Sequence, residues 1–124
     1  MLVNSGTFSV LVGPDHLFHA VCVVGGDGTV SGNSMVIPEH YAALWKAIQE
    51  NDKDLCIRLQ RRTNILNGIL CAKNNISAYK VVLREEGIIR TSKMRAPMEA
   101  LSASDEAMLL AALKENRYRE VLGI

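Results

Sequence analysis

The chain has 124 residues, a formal net charge of +1 and 22% charged side chains. That bounds it to one domain with a modest core, and it excludes a basic nucleic-acid surface or an acidic tail. One Trp and two Phe leave no basic stretch interleaved with aromatics, and no run reaches the ~18 apolar residues of a membrane span. The opening MLVNSGTF lacks a basic and then apolar leader, so no signal peptide is expected. Cys22, Cys56 and Cys71 are odd in number and widely spaced, which reads as buried thiols of a cytosolic protein rather than disulfides.

Phe8 to Val12 is a short apolar, β-branched run ending at Gly13-Pro14, and it predicts a strand. Asp15 is placed to cap a brief helix from His16 to Val24, whose apolar members are Leu17, Phe18, Ala20, Val21, Val23 and Val24. Gly25-Gly26 stops it, and Thr29 to Ser31 predicts a second strand after the Gly28 turn. Strand, helix and strand form one βαβ unit, with parallel strands joined by a right-handed crossover.

Helices then follow one another. Pro38 stands at a helix start, and Glu39 to Glu50 carries Tyr41, Ala42, Leu44, Trp45 and Ile48 as an amphipathic stripe. Asn51-Asp52 caps the next helix, Lys53 to about Cys71, with Leu55, Leu59, Ile65, Leu66, Ile69 and Leu70 on its apolar side. Arg58, Gln60, Arg61 and Arg62 make its polar face. Ile76 to Glu86 predicts a further helix that buries Ala78, Tyr79, Val82 and Leu83, with Gly87 just past its end. Ile88 to Met94 reads as a connector and Arg95-Ala96-Pro97 as a turn. Ser102 or Ser104 caps a helix over Asp105 to Glu115, and a last short helix is expected over Arg117 to Leu122.

This inventory contains a physical contradiction. Two parallel strands leave both outer sheet edges unpaired, and they cannot cover several amphipathic helices. Phe8 to Val12 is also apolar on both faces, as in sheets covered on both sides. The chain therefore reads as a piece of a larger parallel-stranded fold, or as one whose sheet another chain completes.

These stretches carry a resemblance. Phe8-Ser9-Val10-Leu11-Val12-Gly13-Pro14-Asp15 resembles the seventh strand and following loop of the dihydrodipicolinate synthase / N-acetylneuraminate lyase family. Gly25-Gly26-Asp27-Gly28-Thr29-Val30-Ser31-Gly32-Asn33, with Pro38 five residues on, resembles its eighth strand and the entry to its eighth helix. NISAYKVVLREEG (75–87), Arg95-Ala96-Pro97-Met98 and Leu101 to Leu113 resemble its C-terminal helical segments. The likeness runs from about Thr7 to Leu122.

What the resemblance implies is an α/β fold: the last two βα units of a (β/α)8 TIM barrel in residues 1–50, and a C-terminal helical domain in residues 51–124. Such enzymes are cytosolic class I aldolases, usually homotetramers, which need no cofactor. They attack a pyruvate-type 2-oxo acid with a lysine to form a Schiff base, then make or break a carbon–carbon bond. A whole barrel needs about 250 residues. The family's Thr-Thr pair, catalytic Tyr and Schiff-base Lys belong to earlier strands and have no counterpart here. Lys46, Lys53, Lys73, Lys80, Lys93 and Lys114 fall on predicted helices or connectors, none on either strand, and read as solvated surface lysines rather than Schiff-base nucleophiles.

Residues expected to touch substrate lie at the carboxyl ends of the strands. Gly13 and Val30 match positions whose main chain lines the family's pocket. Asp15 matches one that binds substrate hydroxyls in sugar-acid lyases, although a plain helix cap is the competing reading. His16 stands where those lyases carry Glu and Gly32 where they carry Ser, and both departures count against a sialic-acid lyase. His16 and His19 have no evident third ligand, so no metal site is expected. Three readings follow: a lyase's C-terminal fragment, inactive alone; half of a split barrel completed by an N-terminal chain; or a non-enzymatic, oligomerising helical module.

Overall fold

The computed structural model describes residues 8–122, the side chain of residue 75 excepted. Thr7, at the edge of the first predicted strand, lies outside them. The order is β1 (Leu11–Val12), a 3-10 turn (Asp15–Leu17), α1 (Phe18–Val23), β2 (Gly28–Thr29) and a second 3-10 turn (Asn33–Met35). Helices α2 (Pro38–Gln49), α3 (Lys53–Leu70), α4 (Asn75–Glu85) and α5 (Ala103–Glu115) follow.

The two strands pair in parallel, Leu11 opposite Gly28 and Val12 opposite Thr29. Both are shorter than the sequence predicts. The Val10 amide is taken by the Asp27 carboxylate at 2.7 Å, and the Asp27 amide bonds back to the Val10 carbonyl at 2.8 Å. At the other end the Val30 amide bonds to the Val12 carbonyl at 2.9 Å, after which Ser31 turns away. Among the described residues each strand has a single neighbour. Phe8, Leu11 and Val30 stay more than half exposed.

Asp52, Asn74 and Ser102 cap α3, α4 and α5 through their side chains. Each accepts a backbone N–H that the first helical turn leaves without a partner. Gly87, at φ +73°, ends α4 in the left-handed region where glycine pays no steric penalty. The core is shared among α2, α3, α4 and α5, with Leu44, Leu59, Leu66, Leu70, Val82 and Leu113 almost wholly buried. Phe18 joins it from α1, its ring near-parallel to those of Tyr41 and Trp45 at centroid distances of 6.2 Å each.

Three expectations are corrected here. The helix expected over His16 to Val24 is a 3-10 turn followed by α1, and its apolar members Val23 and Val24 are 71% and 58% exposed, because α1 packs Phe18 and Cys22 against the core. Arg62, predicted on a polar face, is 1% exposed. Its Nη2 donates to the carbonyls of Asn116 at 3.0 Å and Arg117 at 2.6 Å, so it satisfies acceptors that the end of α5 leaves open. The last predicted helix is a run of turns instead. Arg117 adopts φ +46°, and the Tyr118 amide reaches back to the Leu113 carbonyl at 3.1 Å, which closes α5. Tyr118 then donates to Glu86 at 2.7 Å and Arg119 forms an ion pair with the same carboxylate. These side-chain ties fix a path that local helical pairing would have to break.

His40 gives the fold a pH response. It is 2% exposed, with Nε2 at 3.1 Å from the Leu59 carbonyl and 2.9 Å from Thr63 Oγ1. Burial holds its pKa below the ordinary 6.5, outweighing the carbonyls of Val121 and Leu59 that favour the cation; the Arg62 charge also lowers it. The unfolded chain then binds a proton that the folded one refuses, so stability is complete above the ordinary value and declines as pH falls below it. The urea midpoint should fall between pH 7.5 and pH 5.5, and less so in His40→Gln. An unchanged or rising midpoint would contradict a neutral buried His40.

Candidate functional site at the carboxyl ends of the strands

The loop after β1 and the loop after β2 meet beside α3 and α4. Between them lies a cleft of about 570 Å³, lined by Gly13, Pro14, Asp15, His16, Gly32, Met35, Asn67, Cys71, Ile76 and Tyr79. Parallel α/β sheets place ligands at this end, because there the loops rather than the helices shape the surface.

Asp15 holds the two strand ends together. Only 8% exposed, its Oδ1 accepts from the hydroxyls of Ser31, just after β2, and Tyr41, on α2, the latter at 2.6 Å. Its carbonyl accepts from Gln60 Nε2 at 3.1 Å. The side chain makes no capping bond to the turn it opens, so the helix-cap reading is corrected. Burial, and then the hydrogen bond to the Asp15 carboxylate, push the Tyr41 phenol far above its ordinary pKa. Tyr41 therefore acts as a fixed donor.

A second network backs the cleft. Tyr79 donates to Asn33 Oδ1 at 2.8 Å, and Asn33 Nδ2 donates to Asn67 Oδ1 at 2.9 Å. The Cys71 thiol donates to the same Asn67 oxygen at 3.3 Å. Asn33 is 0% exposed, which is tolerable only because both ends of its amide are paired. The Tyr79 ring also explains Gly32. A Cβ there would lie 2.7 Å from the ring's Cε2 and 2.9 Å from its hydroxyl, so a serine at 32 would push Tyr79 off Asn33.

Gly13 and Asp15 line the cleft together; Val30 does not, and its side chain is 67% exposed. The sequence reading missed Ser31, Asn33, Tyr41, Asn67 and Tyr79, although both tyrosines stood out as buried aromatics with a hydroxyl to satisfy. His16 lines the cleft, whereas His19 faces another hollow. Among the described residues, no group of three His, Cys, Asp or Glu side chains is placed to hold a metal ion.

The thiols need one correction. Cys56 is buried and Cys22 half-buried, but Cys71 is exposed, because it follows α3 at the cleft rather than lying within the helix. Under native conditions a maleimide should label Cys71 first and Cys56 only after denaturant is added. Equal rates at the two would mean that α3 is not packed as described.

Two parallel strands joined through a helix, a cleft at their carboxyl ends and a trailing set of helices make this an α/β fold. Residues 3–116 match the Dihydrodipicolinate synthetase family, and the chain belongs to that family. The 4-hydroxy-tetrahydrodipicolinate synthase of Leptothrix cholodnii is 32% identical over 108 residues, covering 87% of this chain and 36% of its own length. That of Porphyromonas gingivalis is 28% identical over 120 residues, covering 97% of this chain and 40% of its own. Dihydrodipicolinate synthase from Bacteroides thetaiotaomicron superposes with a TM-score of 0.82 at 24% identity, over 90% of this chain and 39% of that one. Proteus mirabilis N-acetylneuraminate lyase gives 0.78 at 21%, over 91% and 38%. Likeness at these two identities speaks for the fold alone. The chain thus spans about two fifths of the length of these relatives.

Proposed function

We propose that these residues form the last two βα units and the C-terminal helical domain of a Schiff-base-forming, pyruvate-dependent lyase of the (β/α)8 class. The observation that carries this reading is the open two-stranded parallel sheet with a cleft at its carboxyl ends, in a family member that spans two fifths of its relatives. The barrel's remaining strands, from the same polypeptide or a separate N-terminal half, would pair with the free edges of β1 and β2 and close the cleft. Within it the Gly13 main chain and the polar wall of Asn67 and Tyr79 would position a small 2-oxo acid. The Val30 main chain would contribute from the second strand. Asp15 would act as a strut for both loops, its carboxylate already committed to Ser31 and Tyr41.

On this reading the nucleophilic lysine lies outside these residues. A Schiff-base amine must be shielded from water or set beside another cation so that it is neutral at working pH. Lys46 and Lys73 are 75% and 64% exposed, and Lys53, Lys93 and Lys114 are exposed as well. Lys80 donates to the Lys93 carbonyl at 2.7 Å, a tie that supports a structural role. None of the six lies on β1 or β2. The 124-residue chain incubated with pyruvate and borohydride should keep its unmodified mass. A stable adduct on any one of these lysines would overturn the proposal.

A further inference from the structure

Away from the cleft, a hollow of about 440 Å³ opens between α1, the end of α2 and the start of α3. Two of its lining residues are thiols, Cys22 and Cys56. The register of the surrounding elements explains why both line it. His16 shares the cleft with Asn67 and Cys71, and the His19 amide bonds to Gln60 Oε1 at 2.9 Å. Residues rising in number from 16 to 22 therefore run past α3 residues falling from 71 to 56, so the two segments are antiparallel. From the His19–Gln60 contact, one turn forward along α1 reaches Cys22 and one turn back along α3 reaches Cys56. Cys22 packs against the core cluster that contains Cys56. The proposed lyase chemistry uses neither thiol.

We propose that Cys22 and Cys56 are a redox-active pair that closes an intrachain disulfide under peroxide, pinning α1 to α3. Peroxide oxidises the more open Cys22 to the sulfenic acid, and its O–O bond breaks with release of one water. The Cys56 sulfur then attacks the Cys22 sulfur, the S–S bond forms and the S–O bond breaks. The departing hydroxide takes the Cys56 proton and leaves as a second water. Two thiols lose two hydrogens and one peroxide becomes two waters, so the step balances without another reactant. Burial, and then Asp27 and Cys56, push the Cys22 thiol up; burial and then Asp52 do the same for Cys56. Closure is accordingly slow at neutral pH and quickens as pH rises. The bond would join the helix that links the two strands to the helix carrying Asn67, on the cleft's other wall.

The test treats the full chain carrying Cys71→Ser with hydrogen peroxide, alkylates it in denaturant and maps its peptides by mass spectrometry. The untouched chain is run in parallel, so that a folding defect in the variant cannot hide the result. The expected product has lost two hydrogens, shows no alkylation at Cys22 or Cys56, and yields one linked peptide pair that dithiothreitol separates. Cys22→Ala should abolish the linked pair and leave Cys56 open to alkylation. Full alkylation of both thiols, oxygen addition without a link, or a bond only between chains would overturn the proposal.

Discussion

Replacing Asp15 by Ala is expected to cost the chain roughly 2–4 kcal/mol, since a buried hydrogen-bonding group stripped of its partner costs ~1–3 kcal/mol. Two donors lose their acceptor at once, the Ser31 hydroxyl and the largely buried Tyr41 hydroxyl. Tyr41 is 6% exposed, so water cannot readily replace the carboxylate there. Ser31 also accepts the Ser34 amide at 3.0 Å, so its displacement would loosen the turn that precedes α2. Asp15→Asn keeps an acceptor oxygen and should lose clearly less. Urea midpoints of the three proteins decide the matter. If Asp15→Ala unfolds at the parent's midpoint, the carboxylate is no strut, and a ligand-binding role becomes the better account of its burial.

The helices were legible in the sequence and the site largely was not, for a physical reason. Helix bounds depend on local signals: Pro38, Asp52 and Ser102 each place a start within a residue or two of the observed one, and the helix expected from Ile76 begins one residue earlier, at Asn75. Strand extent depends on a neighbour, and Phe8 to Val12 forms a two-residue strand because, among the described residues, it pairs with β2 alone. No helix forms over residues 117–122, because their conformation answers to Glu86 and Arg62, distant in sequence and invisible to local propensity. The same holds at the cleft. Asp15 carries an ordinary cap signature, and only the fold brings Ser31 and Tyr41 to it. Gly32 gave no local sign that Tyr79 occupies the space where a side chain would go.

The second large effect concerns the chain by itself. Phe8 is 62% exposed, Leu11 53%, Val23 71%, Val24 58% and Val30 67%, all on or beside the βαβ unit. Burying one such side chain is worth ~1.5–3 kcal/mol, against a total of ~5–15 kcal/mol for a typical domain. Uncovered, they withhold much of the stability a small domain can gather, and unpaired strand edges invite another chain to pair with them. Substituting charged residues for Leu11 and Val30 should therefore reduce association more than it reduces helix content.

The claim that more polypeptide completes this sheet is tested most directly by sedimentation velocity of the 124-residue chain at micromolar concentration. The account predicts species heavier than the monomer, in proportions that shift with concentration. A single sharp monomer that unfolds cooperatively, with both strands still exposed, would contradict it.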